Sequence, residues 1–206
     1  MIEIKLNFVN NSVDVNNSEV VIFQKNEAAS ADELAVAWTV IENCGPGWSH
    51  AFTFPVQTYV AVGDSWGNLS PALPAADGER FSVEISPSGD ILKPAGKASG
   101  PKEIEVVNAL KLGAISANIT RDGKLLAAKT GVEPGQKAVF AFSPIIWIGV
   151  VSQMQEGEVM NSAIMSQLNT QISLMGIASA DIVMTGGGPG PVSSSFVFTL
   201  ENVEYA

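Results

Sequence analysis

The sequence predicts an all-β protein: a single antiparallel β-sandwich over residues 1–206, with at most one short helix. Three observations predict it. Apolar residues recur mostly at period two, the spacing of a half-buried strand. Nineteen glycines and eleven prolines break the chain into short runs. Asp122-Gly123 sits between two such runs, where a tight hairpin turn needs φ > 0 at both positions.

The elements follow in order. Ile2, Ile4, Leu6 and Phe8 share one face of an opening strand, and a polar loop runs from Asn10 to Ser18. Val20 to Phe23 reads as a buried strand, Asn26 to Asp32 as a loop, and Leu34 to Ile41 as a β-branched and aromatic strand. After the Gly45-Pro46-Gly47 turn, Ala51 to Val62 resumes the strand pattern, with Pro55 marking an edge or bulge. Gly63 to Gly78 is mostly loop and Arg80 to Ile85 a strand. Pro87 to Pro101, dense in proline and glycine, reads as the longest loop.

A hairpin spans Ala114 to Lys129, and Glu133 to Gln136 is a turn. Ala138 to Phe142 and Ile145 to Val151 are strands split by Pro144. From Glu156 to Met175 the helical and strand periods compete. The reading adopted is a helical turn near Asn161 to Gln167, then a strand from Thr170 to Leu174. Asp181 to Thr185 and Phe196 to Glu201 close the domain around a glycine-rich loop, Gly186 to Pro191.

Composition excludes several classes of function. The net charge is −10 with only 11 Lys and Arg, so the basic footprint of a nucleic-acid binder is missing, as is a signature for anionic membranes. One cysteine, Cys44, precludes an internal disulfide framework. No apolar run approaches the ~18 residues of a transmembrane helix. The start, MIEIKLNFVNN, has no basic segment followed by an apolar one, so the expectation is a soluble, cytoplasmic protein unless a non-Sec route exports it.

The chemistry-bearing residues are few. Cys44 and His50, the only Cys and His, flank a Gly/Pro turn and form an alternative reactive pair. They are too few for a metal site, and nothing implies a cofactor. No nucleophile elbow or phosphate-cradling lysine motif occurs. Asp64 and Asp77 are the one carboxylate pair worth weighing for acid–base work, and surface solvation explains them better. Trp38 and Trp147 lie in apolar runs and read as core, whereas Trp48 and Trp66 lie in loops. A loop aromatic is a natural platform for a sugar or a partner. Trp48 and Trp66, with Tyr59, Asp64 and Asn68, form the candidate ligand site.

The order of PIIWI (Pro144–Ile148), QEGEV (Gln155–Val159), Thr170-Gln171-Ile172 and a final strand pair, with the opening LNFVNNS and VVIFQK, resembles bacterial proteins related to the rhizosphere-expressed protein RhiA. The resemblance implies a bacterial origin and a small, abundant accessory protein with density-regulated expression. It supplies no reaction and no catalytic residues.

The functional expectation is a non-catalytic accessory protein that binds a glycan or protein through its aromatic loops, or self-assembles. Its low charge and exposed strands favour a homo-oligomer. The alternatives are a membrane-active, pore-forming or insecticidal-type toxin using the Ser/Thr/Met-rich residues 159–185, and, less favoured, an enzyme using Cys44 and His50.

Overall fold

In the computed structural model the described residues are 3–28, 35–161, 164, 165, 168 and 170–206. They form an all-β structure with almost no helix. The chain groups into two compact units. The first comprises Met1–Lys25, Leu34–Val56 and Pro144–Ala206, the second Asn26–Glu33 and Gln57–Ser143.

With strands numbered in chain order, the first unit holds β1 (Glu3–Asn10), β2 (Glu19–Phe23), β3 (Thr39–Ile41), β4 (Ser49–Pro55), β13 (Ile145–Val151), β14 (Thr170–Ser173), β15 (Ile177–Gly187) and β16 (Ser194–Tyr205). They make two four-stranded sheets, β16-β15-β1-β4 and β14-β13-β2-β3. The pairing is antiparallel except for β1 with β15. Period two decides what β1 buries: Ile4, Leu6 and Phe8 face inward and Glu3 and Lys5 outward. Trp38, 1% exposed and bonded through its N–H to the Ile22 carbonyl, meets Phe54 of β4 edge-on with ring centroids 5.5 Å apart. β16 also reaches β13 and β14, so the two sheets pack face to face.

β2 is apolar and buried from Val20 to Phe23 because both of its faces are covered there. Val21 and Phe23 face a second cluster with Ala35, Ala37, Met154, Met160 and Leu168. Residues 154–161 with Ile164, Met165 and Leu168 form a strap, tied down at Ala37 N–H to Glu158 O (2.9 Å), Gly157 N–H to Ala37 O (2.8 Å) and Met160 N–H to Ala35 O (2.9 Å). Trp147 packs on this outer cluster with Lys25 over its ring, 3.5 Å from the centroid; it is half-buried and not in the main core.

The second unit holds β5 (Thr58–Asp64), β6 (Leu73–Ala75), β7 (Glu79–Ser86), β8 (Gly89–Lys97), β9 (Ile104–Asn108), β10 (Ile115–Arg121), β11 (Lys124–Val132) and β12 (Lys137–Phe140). Its sheets are β11-β10-β5-β6 and β12-β9-β7-β8. The expected hairpin joins β10 to β11 with Arg121 opposite Lys124, Asp122 at φ 55° and Gly123 at φ 72°. From the strands on either side of β9, Arg80 of β7 and Lys137 of β12 both bind the carboxylate of Glu105, whose side chain is fully buried.

The structure corrects several boundaries. Pro87 to Pro101 is not a loop: β8 occupies most of it, pairing with β7 in a tight hairpin. An edge strand tolerates Pro94, which has no N–H to donate, and its exposed side chains show no alternation. Of the expected strand Leu34 to Ile41, Leu34 lies outside the described residues and the strand begins only at Thr39, because Ala35 to Ala37 bond instead to residues 157–160 of the strap. Ala51 to Val62 breaks between β4 and β5, which lie in different units. β9 has no counterpart in the sequence reading. Its run of buried residues follows from covered faces on both sides. The end of the glycine-rich loop forms one 3₁₀ turn, Gly190–Val192. Of the expected helical turn, Ile164 and Met165 are helical and Met165 N–H bonds to Asn161 O at 3.0 Å. Residues 162, 163, 166 and 167 lie outside the described residues.

Candidate functional site

At the end of β5 the chain turns back over residues 64–70. The Asp64 carboxylate organises this turn. Oδ1 accepts from the N–H groups of Trp66 and Asn68, each at 2.9 Å, and Oδ2 accepts from Asn68 Nδ2 at 2.7 Å. Backbone bonds from Asp64 N–H to Asn68 O (3.0 Å) and Ser70 N–H to Val62 O (2.9 Å) close the loop. Gly67, at φ 87°, takes a left-handed conformation that favours glycine. The amide of Asn68 in particular holds the Asp64 carboxyl below its ordinary range. The turn therefore presents one large side chain on a fixed backbone: Trp66 is 87% exposed.

Beside it lies a cleft of about 130 Å³ between the two sheets of this unit. Val62, Val83 and Ile115, all nearly buried, form the floor; Asp64, Asn68 and Asp90 stand at the mouth. Leu69, 75% exposed, lines one wall. The 109–113 loop adjoins the turn, since a Cβ on Gly113 would lie 3.8 Å from Ser65 Oγ, and it carries Leu112, 87% exposed. Buried Asn108 fixes this loop through Nδ2 to the carbonyls of Gly113 (2.9 Å) and Val132 (2.8 Å). The turn that exposes Trp66 thus lends Asp64, Asn68 and the exposed Leu69 to the wall of a small, acid-lined cleft.

Of the residues expected at the site, Trp66, Asp64 and Asn68 come together. Tyr59 does not join them. It lies five residues back along β5, about 16 Å at ~3.3 Å per residue, with the half-buried residues that alternate with Thr58, Val60 and Val62. Trp48 belongs to the other unit. It is 69% exposed on a turn held by Asn10, whose N–H bonds to Trp48 O (2.9 Å) and whose O accepts from Gly47 N–H (2.6 Å).

Cys44 lies on that same turn, its carbonyl accepting from Asn10 Nδ2 at 2.6 Å, and burial raises its thiol pKa. His50 is exposed on β4, in register with Phe8. Asp77 acts electrostatically on the buried Arg121, whose pKa desolvation lowers to about 10 against the pull of that charge. Among the described residues no three His, Cys, Asp or Glu side chains converge as a metal site requires, and no helix is long and apolar enough to cross a membrane. The described residues of the 159–185 segment are shared among the strap, β14 and β15; Met160 and Met184 are buried and Met175 is exposed.

Leu112 and Asp90 escaped the sequence reading. An apolar residue between Lys111 and Gly113 was the available signal for the first. Asp90 was hidden because its strand read as loop.

Fold and site define an all-β protein of four-stranded sheets that displays rigid aromatic loops. More particularly, the chain belongs to the RhiA family, whose model matches residues 3–184. No curated protein and no solved structure matches the chain.

Proposed function

We infer that this protein is a non-catalytic binding protein and that its ligand is a neutral sugar bound at the Trp66 cleft. The observation carrying this reading is the fixed turn that exposes the Trp66 side chain and lends Asp64 and Asn68 to the lining of an apolar-floored cleft. Exposing such a side chain on a rigid backbone sacrifices hydrophobic burial, and binding recovers it without the entropy of ordering a loop. The C–H face of a pyranose stacks on an aromatic ring, while Asp90 and Asn68 are placed to meet its hydroxyl groups. The cleft is smaller than the ~300–1,000 Å³ of a site that engulfs a drug-sized ligand, so it suits the edge of a chain-end sugar. Two carboxylates at the mouth and a net charge of −10 disfavour anionic ligands.

A glycan array tests the reading. Wild-type protein is expected to retain a set of neutral glycans, and the Trp66→Ala protein to lose them. Binding that survives Trp66→Ala, or confinement to sialylated or sulfated glycans, overturns it.

A further inference from the structure

We propose that two copies of this chain pair through β16, edge to edge and antiparallel, about a two-fold axis at Phe198. This joins their β16-β15-β1-β4 sheets into one continuous sheet.

Sheet edges expose unpaired N–H and C=O groups, and most proteins blunt them with short strands, prolines, lysines or bulges. Most edges here carry such a device. β3, β6, β12 and β14 have three or four residues. β8 carries Lys93, Pro94 and Lys97; β11 carries Lys124 and Lys129 and breaks register with its neighbour; β4 ends on Pro55. β16 is different. It is the longest strand at twelve residues, and its centre, Phe196 to Leu200, has neither charge nor proline. Its pairing with β15 is regular from Asp181–Glu201 to Thr185–Val197, with bulges only outside that stretch. Among the described residues no strand pairs with its outer edge.

The stretch also matches itself. Directly opposed residues in an antiparallel pair point to the same face. An axis at Phe198 sets Phe196 against the second copy's Leu200, and Val197 against its Thr199. Phe196 and Leu200 flank the buried Phe198 and are only half-covered, so the pairing completes an apolar row. On the outer face Val197 is 50% exposed and Thr199 is exposed. The same register puts Glu201 opposite Ser195, so no carboxylate faces another. A ladder this short falls below the ~1,200 Å² of stable complexes, so the dimer exchanges with monomer and tightens with salt, which screens the net charge of −10 on each chain.

Sedimentation equilibrium across a wide concentration range tests the proposal. The expected result is a weight-average mass rising from one chain toward two and no further. In Val197→Asp/Thr199→Asp, two pairs of carboxylates face one another and the dimer should weaken at least tenfold. In Val197→Lys/Thr199→Asp, opposite charges face one another and dimerisation should return. Both pairs lie on the surface, and circular dichroism confirms that each variant folds. A wild type that stays monomeric at millimolar concentration overturns the proposal. So does a mass that climbs past two chains, or a dimer indifferent to the Asp/Asp change.

Discussion

Leu168 lies directly over Gly149: a Cβ on Gly149 would meet Leu168 Cδ2 at 2.4 Å and its Cα at 3.1 Å. Glycine is required at this point of β13 because the strap crosses against the strand backbone. Gly149→Ala should therefore lift the strap and cost about 1–3 kcal/mol, the usual range for overpacking. Urea unfolding measures the loss. Peroxide should also oxidise Met154 and Met160, both buried under the strap, faster than in wild type. Unchanged stability and oxidation would show that the strap bears no load at Gly149.

Glu105 supplies a pH dependence. Burial alone would raise its pKa, but bonds from Lys137, Ser99 and Arg80 outweigh burial and lower it from 4.5 to about 2. A depressed carboxylate contributes stability that is fully present above its unfolded pKa and lost as pH falls toward the folded one. Stability should hold above about pH 5 and decline from about pH 4.5 toward pH 2. Glu105→Gln should flatten that part of the decline. At neutral pH it should cost about 2–3 kcal/mol, below the ~3–5 of a fully buried broken pair, because Arg80 and Lys137 keep partial access to water. Thermal unfolding of both proteins across that range is the check.

The β10–β11 turn offers a local test of register. Gly123 sits at φ 72° with open space where a Cβ would stand, so a side chain there meets backbone strain and no clash. Gly123→Val should destabilise by about 1–2 kcal/mol, whereas Gly123→Asn should cost well under half of that. Equal losses would contradict a left-handed turn.

Asp64 separates presentation of the ligand platform from contact with the ligand. Asp64→Ala removes the acceptor for three bonds of the turn and should weaken sugar binding several-fold while leaving the unfolding midpoint nearly unchanged, since the loop is at the surface. Because the Asn68 amide holds the carboxyl below its ordinary range, binding should be flat through neutral and mildly acidic pH and fall only in stronger acid, once the carboxylate is protonated. A midpoint of binding near pH 6 would point to another group.

Elements with one covered face were legible in the sequence. β1 and β10 show period two, and Asp122-Gly123 announced its hairpin. Those that failed did so for physical reasons. β8 is an exposed edge strand in which Pro94 and Gly96 are tolerated, so neither alternation nor composition marks it. β9 is buried without alternation, and Ala35 to Ala37 were strand-like residues captured by a non-sheet partner. The site was half legible. Trp66, Asp64 and Asn68 are neighbours in sequence, and local turn chemistry joins them. Asp90 reaches the cleft only through sheet topology, and no local pattern encodes that.

The most direct test of the central claim is a calorimetric titration of the best-retained neutral glycan into wild-type, Trp66→Ala and Trp48→Ala proteins. The expected result is saturable binding to wild type, at least a tenfold loss of affinity, about 1.4 kcal/mol, in Trp66→Ala, and wild-type affinity in Trp48→Ala. Equal affinity in the wild-type and Trp66→Ala proteins would contradict it.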